Sequence, residues 1–217
     1  ELDDLMLSDK NYQHLREIFR NSYNKKNNLS EATRFLINQL FGSYGLLVID
    51  GDDKKLKTKL IDVIHKDINE NHFYKIISKT NKKIQKLYHK QAFVRPVNFF
   101  DISNNNRVRI KNKIDKQKIS NSPENYSPNV LLRPIYQEMI LPNIAYVGGG
   151  GEISYWLQLK DVFSDLSLSM PIIVLRNSVL FIDEKQSKKI TDLGLNSFDF
   201  FSETDEVIRD YIKNTSD

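Results

Sequence analysis

The chain has 217 residues and is 40% apolar, which is enough for one large α/β domain or two smaller ones. It has no long apolar run, and its acidic first five residues lack the apolar region of a signal peptide. We therefore expect a cytoplasmic protein without a membrane partner. The absence of cysteine excludes disulfides, thiolate nucleophiles and cysteine-based metal sites among these residues.

The net charge of +4 is unevenly distributed along the chain. Residues 51–90 hold eleven lysines and five acidic residues, a balance of +6, whereas residues 129–217 hold eight basic and thirteen acidic residues, a balance of −5. The basic stretch is either a nucleic-acid-binding face or a solvated lysine-rich helix surface. The second is favoured, because the aromatic and arginine side chains typical of single-strand binders are missing, so no nucleic-acid partner is expected.

Two helices are expected before the first strand. Residues 11–20 carry an apolar stripe at helical spacing. A second helix is expected from residue 31 to about residue 41, with Ser30 as its N-cap and Gly42 at its end.

The middle of the chain predicts a strand, two helices and a region of short strands. The apolar run 45–50 is typical of a buried parallel strand with Asp50 at its carboxyl end. Apolar residues recurring at spacing four predict helices over about 53–68 and 72–88. The segments that follow are predicted to be short meander strands at 92–94, 97–102 and 107–110, and a polar loop or linker at 111–128.

The last third predicts a strand–helix–strand unit. A strand at 143–147, a glycine turn, a helix over 152–166 and a strand at 172–175 follow one another, and such a unit has parallel strands. The other predicted elements are a short strand at 130–134, one or two helical turns at 135–141, and helices at about 184–192 and 203–213.

Four consecutive glycines, Gly148, Gly149, Gly150 and Gly151, form the predicted turn. Glycine allows positive φ and close approach of a ligand to bare amides, and the next helix presents unpaired N–H groups. The run matches neither the dinucleotide-binding nor the Walker A pattern. It is either an anion-binding turn or a tight turn that lets helix and strand pack closely. Glu152 would repel a phosphate there, and could instead cap the turn or contact an amine or hydroxyl.

Two arginines follow predicted strands and favour the anion-binding interpretation. Ligands of open α/β sheets bind beyond the carboxyl ends of the strands, so Arg133, the glycine turn and Arg176-Asn177 are expected on one rim. Guanidinium groups beside bare amides favour a carboxylate or phosphate ligand. Either arginine could instead be a structural ion-pair partner.

The segment 133–138 places an arginine, a phenol, an amide and a carboxylate close together. On a helix Arg133 and Gln137 can share a face, whereas Tyr136 and Glu138 cannot. Glu138 is a candidate general base if it is buried near the rim. Otherwise the segment is a polar surface turn.

Other residues that carry chemistry form no recognisable site. The four histidines are scattered without metal-ligand spacing, so no metal is expected. Ser154 and Ser178 lack the glycine elbow and the nearby histidine of a hydrolase.

Two strings carry a resemblance to a known family: Arg133-Pro134-Ile135-Tyr136-Gln137-Glu138, and the four glycines followed by Glu152-Ile153-Ser154-Tyr155-Trp156-Leu157-Gln158-Leu159-Lys160. With the segment 170–178, they closely resemble the bacillithiol biosynthesis cysteine-adding family, BshC. Residues 1–110 are similar to that family more loosely. Family members are more than twice as long, so the chain resembles a central fragment of the enzyme and is expected to be inactive alone.

The resemblance implies a Rossmann-like parallel sheet core with helices on both faces. Residues 1–52 and 129–217 would be the two parts of that core, and residues 53–128 an inserted helical and short β-meander segment with its linker. The resemblance also implies a coiled coil after the core that forms a homodimer in the full-length protein.

The implied reaction is a ligation that joins cysteine to an amino-sugar malate intermediate, with the amine attacking an activated carboxyl of cysteine. ATP or another nucleotide is a family expectation that no residue here demonstrates. The implied substrate-binding residues are Arg133, Tyr136, Gln137, Gly148, Gly149, Gly150, Gly151, Tyr155, Arg176 and Asn177, and the candidates for catalysis are Glu138 and Glu152. The alternatives are a non-catalytic ligand-binding or assembly domain and a nucleotidyl-transferring enzyme of similar fold.

Overall fold

The computed structural model describes residues 11–104 and 106–215, and it divides into two compact units between Leu175 and Arg176. The acidic first five residues lie outside the described residues. No helix among the described residues is both long and apolar enough to cross a membrane.

The first part of the larger unit is helical. Its helices are α1 Tyr12–Tyr23, α2 Leu29–Phe41, α3 Lys54–Lys57, α4 Ile61–Glu70 and α5 His72–Ile84, with 3-10 turns at Gly42–Tyr44 and Thr58–Leu60. The predicted N-cap of α2 is wrong: Asn28, not Ser30, accepts a hydrogen bond from the amide of Glu31 at 2.9 Å. The helix predicted over 53–68 is broken by a 3-10 turn.

The strand predicted over 45–50 is absent. Residues 46–50 are irregular, and Leu46 and Leu47 are exposed. A strand needs a neighbour to pair with, and no described segment pairs with this one.

Three short strands form an antiparallel sheet in the order β2-β1-β3. They are β1 Phe99–Asp101, β2 Val108–Arg109 and β3 Tyr126–Pro128. The linker predicted at 111–128 is therefore wrong, since it holds β3 and also helix α6, Lys116–Asn121, which Asp115 caps. The strand predicted at 92–94 is absent too, because the Gln158 side chain pairs with both backbone groups of Ala92.

The strand–helix–strand prediction is confirmed. Strand β4 Ala145–Gly148 pairs in parallel with β5 Ile172–Leu175, with Ala145 opposite Ile172. The connecting helix begins earlier than predicted and is divided by a 3-10 turn into α8 Gly150–Trp156 and α9 Lys160–Asp165. Within the described residues this parallel sheet has two strands, so the larger Rossmann-like sheet of our prediction remains a proposal.

The strand predicted at 130–134 is wrong, and Arg133 therefore lies at the start of a helix and not at the end of a strand. The Asn129 side chain accepts hydrogen bonds from the amides of Leu131 and Leu132, at 2.9 and 3.1 Å, and so starts a helix. Helix α7 then runs over Arg133–Ile140. Pro134 is tolerated there because the first helical amides have no intrahelical partner.

The smaller unit contains the two helices predicted at the end of the chain. They are α10 Glu184–Asp192 and α11 Thr204–Thr215, separated by a 3-10 turn at Asp199–Phe201. None of the residues of these helices is buried, in contrast to those of the larger unit.

The core of the larger unit surrounds a buried polar network. Asn98 is fully buried and donates its amide and side-chain N–H groups to the carboxylate of Asp67, which is also fully buried. The Asn98 side-chain oxygen accepts a hydrogen bond from the Asn129 side chain at 2.9 Å. The backbone carbonyl of Asn98 accepts one from the backbone amide of Asn129 at 2.8 Å. Asn98 thus joins α4 to the start of α7.

Burial of Asp67 makes folding stability depend on pH. Desolvation raises the pKa of Asp67 from 3.8 to about 6, although the bonds from Asn98 act in the opposite direction. The folded chain therefore binds this proton more tightly, and the resulting stability is present below pH 3.8 and lost as the pH rises through about 6. The loss is about 3 kcal/mol, at 1.36 kcal/mol per pKa unit.

We expect Asp67→Asn to remove the pH-dependent part of the folding stability that comes from Asp67. Urea unfolding between pH 4 and 7 should show the wild-type stability falling relative to that of the variant. Asp62→Asn, at an exposed site, is the control and should track the wild type. A wild-type-minus-variant difference that does not change with pH would contradict the assignment.

Candidate functional site

The glycine turn joins β4 to α8, and its glycines have different uses. None of the four has a positive φ, so the expectation that the turn uses glycine to reach positive φ is wrong. A Cβ on Gly148 would lie 2.7 Å from the Tyr146 ring, so this glycine is needed for close packing. A Cβ on Gly150 would meet nothing within 4 Å, which leaves the turn open to a ligand at that point.

Glu152 caps this turn. Its Oε2 accepts a hydrogen bond from the Gly149 amide at 3.1 Å, and its Oε1 accepts one from the Tyr146 hydroxyl at 3.2 Å. The capping role that the sequence left open is therefore confirmed. The amide of Gly149 already has a partner, so a ligand at the turn would use the amides that follow it.

Arg133 lies beside the turn, at the first position of α7 rather than at a strand end. Its Nη1 donates to Gln137 Oε1 at 2.9 Å, which confirms that the two side chains share a helix face. Its Nη2 donates to the hydroxyls of Tyr155 and Tyr146, at 3.1 and 3.3 Å, and lies 3.9 Å from Glu152 Oε1. The guanidinium is thus held in one orientation, largely by neutral groups, with part of its surface exposed.

Electrostatics keep this guanidinium charged. Burial lowers the pKa of Arg133, but the hydrogen bonds to Tyr155 and Tyr146 raise it, and the net pKa lies above its ordinary value. An arginine that stays charged and is partly exposed can pair with the carboxylate of a ligand.

Tyr146 is a site residue that the sequence reasoning missed. It touches Arg133 and Glu152, and its ring stacks on Trp156 with centroids 4.1 Å apart. Residues two apart on a strand share a face, and Tyr146 precedes Gly148 by two positions. That alternation was the signal that could have found it.

Two predicted site residues bond mainly to other parts of the larger unit, although Glu138 Oε1 also accepts a hydrogen bond from Gln137 Nε2 at 3.4 Å. The Tyr136 hydroxyl donates to the carbonyl of Gly51 at 2.9 Å, and burial, with the nearby charges of Asp52, Asp53 and Asp50, raises the pKa of Tyr136 to about 12. Glu138 is buried, and both of its carboxylate oxygens accept from Asn143. These contacts are structural, and the catalytic role of Glu138 stays a prediction.

The structure brings together Arg133, Gln137, the glycine turn, Glu152 and Tyr155. Arg176 and Asn177 belong to the smaller unit, so their place on the same rim also stays a prediction. In the part of the chain that is described, no three His, Asp or Glu side chains are grouped as they would be around a metal ion.

Gly148→Ala and Gly150→Ala form a matched pair that tests which glycine is needed for close packing and which one borders open space. We expect Gly148→Ala to lose about 1–3 kcal/mol of folding stability, because the new methyl displaces the Tyr146 ring from Trp156. Gly150→Ala should be neutral or stabilising by up to about 1 kcal/mol, since alanine favours helix. Denaturant unfolding measures both, and equal effects would contradict the assignment.

Comparison with known proteins identifies the family of the chain. The family model "Bacillithiol biosynthesis BshC, N-terminal Rossmann-like domain" matches residues 1–177. Proteins named "Putative cysteine ligase BshC" from Flavobacterium johnsoniae, Flavobacterium psychrophilum and Christiangramia forsetii are 40%, 39% and 34% identical over 93%, 88% and 95% of the chain. The matches cover 41%, 39% and 42% of those relatives, so the chain spans about two fifths of their length. The chain belongs to the BshC family of bacillithiol biosynthesis.

Proposed function

We propose that this chain supplies the anion-binding part of a ligase that joins cysteine to a glucosaminyl-malate intermediate. The observation that carries the proposal is Arg133, a charged guanidinium fixed beside the open glycine turn by Tyr146, Tyr155 and Gln137. Family membership supports the reaction class. Since the chain spans about two fifths of its relatives, we assign the complete reaction to a longer protein and expect this chain alone to be inactive.

In this proposal the malate carboxylates lie at the glycine turn. Arg133 pairs with one carboxylate, and the amides of Gly150 and Gly151, which follow the capped amide of Gly149, bind its oxygens. Arg176 and Asn177, which follow β5 in the sequence, stay our sequence-based candidates for binding the second carboxylate. Tyr155 and Gln137 hold Arg133 in place, which reduces the entropy lost when the ligand binds.

The bond formed is an amide between the sugar nitrogen and the cysteine carboxyl carbon. The amine attacks this carbon, the activating group leaves with the carboxyl oxygen, and the nitrogen loses a proton. Glu152 is our candidate to receive that proton, because its carboxylate is partly exposed at the turn whereas Glu138 is buried. A nucleoside triphosphate is the activating class that the family resemblance suggests.

The remaining proposals concern the full-length protein. We propose that it acts in the cytoplasm as a homodimer held by a helical coiled coil, with residues 1–52 and 129–217 as two parts of a Rossmann-like core around the segment 53–128. No nucleic acid or membrane takes part in this proposal.

Arg133→Gln tests the site directly. We expect titration calorimetry with glucosaminyl malate to show binding weakened by about 10- to 100-fold, because a charge-assisted bond contributes roughly 1.5–3 kcal/mol. Arg209→Gln is the control, since its guanidinium donates to its own helix. Unchanged affinity in Arg133→Gln would contradict the proposal, and unchanged affinity in Arg176→Ala would remove that residue from the site.

Further binding experiments distinguish the ligase proposal from the two alternative functions. Gly150→Ala should fold normally and yet bind glucosaminyl malate less tightly, because its methyl occupies the ligand's path to the amides. Binding of ATP without glucosaminyl malate would instead favour a nucleotidyl-transferring enzyme. Binding of neither, with capture of a partner chain, would favour an assembly domain.

A further inference from the structure

A separate cleft of about 570 Å³ lies in the larger unit between α2 and the segment 48–52. Its lining includes Arg34 and Phe35 from α2, and Val48 and Asp50 from the opposite side. The volume falls in the range of small-molecule sites. None of these four residues belongs to the glycine-turn site.

Asp50 presents an ionised carboxylate to this cleft. Its Oδ2 accepts from the Ser30 hydroxyl at 2.6 Å, and its Oδ1 accepts from the Asp52 amide at 2.9 Å. These bonds, the one from Ser30 foremost, lower the pKa of Asp50. Both donors are neutral, and no cation forms an ion pair with Asp50 among the described residues.

Arg34 is the complementary charge. Within the described ranges its guanidinium has neither a hydrogen bond nor an ion pair, yet its charge is near enough to lower the pKa of Asp50. The other two acids of the cleft are engaged, Glu31 by Asn27 and Asn28, and Asp52 by Lys57 at 2.6 Å. The cleft therefore holds one carboxylate and one guanidinium that are not paired with each other, and its other unpaired cation, the Lys26 ammonium, lies over the Phe35 ring at 4.4 Å from the ring centroid.

We propose that this cleft binds a free α-amino acid, with its ammonium at Asp50 and its carboxylate at Arg34. A zwitterion is the ligand that satisfies both charges at once. Phe35 and Val48 provide an apolar wall for a short side chain such as a thiol. Identifying the amino acid as cysteine rests on the proposed ligase function.

Helix α7 connects the cleft to the glycine-turn site. Arg133 and Gln137 face the turn, whereas Tyr136 of the same helix bonds to Gly51, which lies between the cleft residues Asp50 and Asp52. The two sites thus contact neighbouring faces of the same helix, so α7 is a physical link between them.

The test uses three ligands and two variants of the 217-residue chain, with binding followed by calorimetry under reducing conditions. L-Cysteine carries both charges, cysteamine lacks the carboxylate, and 3-mercaptopropionate lacks the ammonium. We expect each truncated ligand to bind at least about tenfold more weakly than cysteine. Arg34→Gln should weaken cysteine about tenfold without affecting cysteamine. Asp50→Asn should weaken cysteine similarly without affecting 3-mercaptopropionate.

Asp62→Asn is the matched carboxylate control and should bind cysteine as the wild type does, and thermal unfolding verifies that every variant is folded. The proposal is overturned if folded wild-type chain does not bind cysteine, or if both variants bind it normally. Titration of the same samples with glucosaminyl malate distinguishes the two proposals. If cysteine binds with the expected variant pattern but glucosaminyl malate does not bind, the proposed function is contradicted and the amino-acid site is supported.

Discussion

The hydrogen bonds of Asn98 are the interaction on which the rest of the larger unit depends. This fully buried side chain binds the Asp67 carboxylate of α4 on one side and Asn129 on the other. Asn129 in turn accepts hydrogen bonds from the amides of Leu131 and Leu132 in the turn that leads into α7, so a buried polar network sets the direction in which α7 leaves the core. Burying an ionised carboxylate costs stability, and the network limits that cost by supplying the donors.

The position of Arg133 follows from this network. Because α7 starts at Arg133, the guanidinium emerges at the helix end that faces β4, where Tyr146 and Tyr155 receive it. The stacking of Tyr146 on Trp156, and of Trp156 on Phe163, anchors the cluster in the apolar core. Gly148 permits that stacking, and Gly150 leaves the turn open.

Sequence patterns predicted those parts whose information is local. The parallel pairing of β4 with β5 and the shared face of Arg133 and Gln137 follow from spacing along the chain. The failures came from side chains that bond to backbone groups where a strand was predicted. Gln158 pairs with Ala92 in place of a strand, and Asn129 turns an apolar run into a helix start. The sequence carries no signal that identifies Ala92 as the partner of Gln158, whereas asparagine at position 129 is a local turn signal that the strand prediction missed.

The central claim is that the open part of the glycine turn, together with Arg133, binds a carboxylate ligand. The most direct measurement is the amide NMR spectrum of the ¹⁵N-labelled chain during titration with glucosaminyl malate. The account predicts that the largest saturable shifts occur at Gly150 and Gly151 and at the guanidinium of Arg133, with smaller shifts at the capped Gly149. Saturable shifts that leave these three groups unmoved would contradict it.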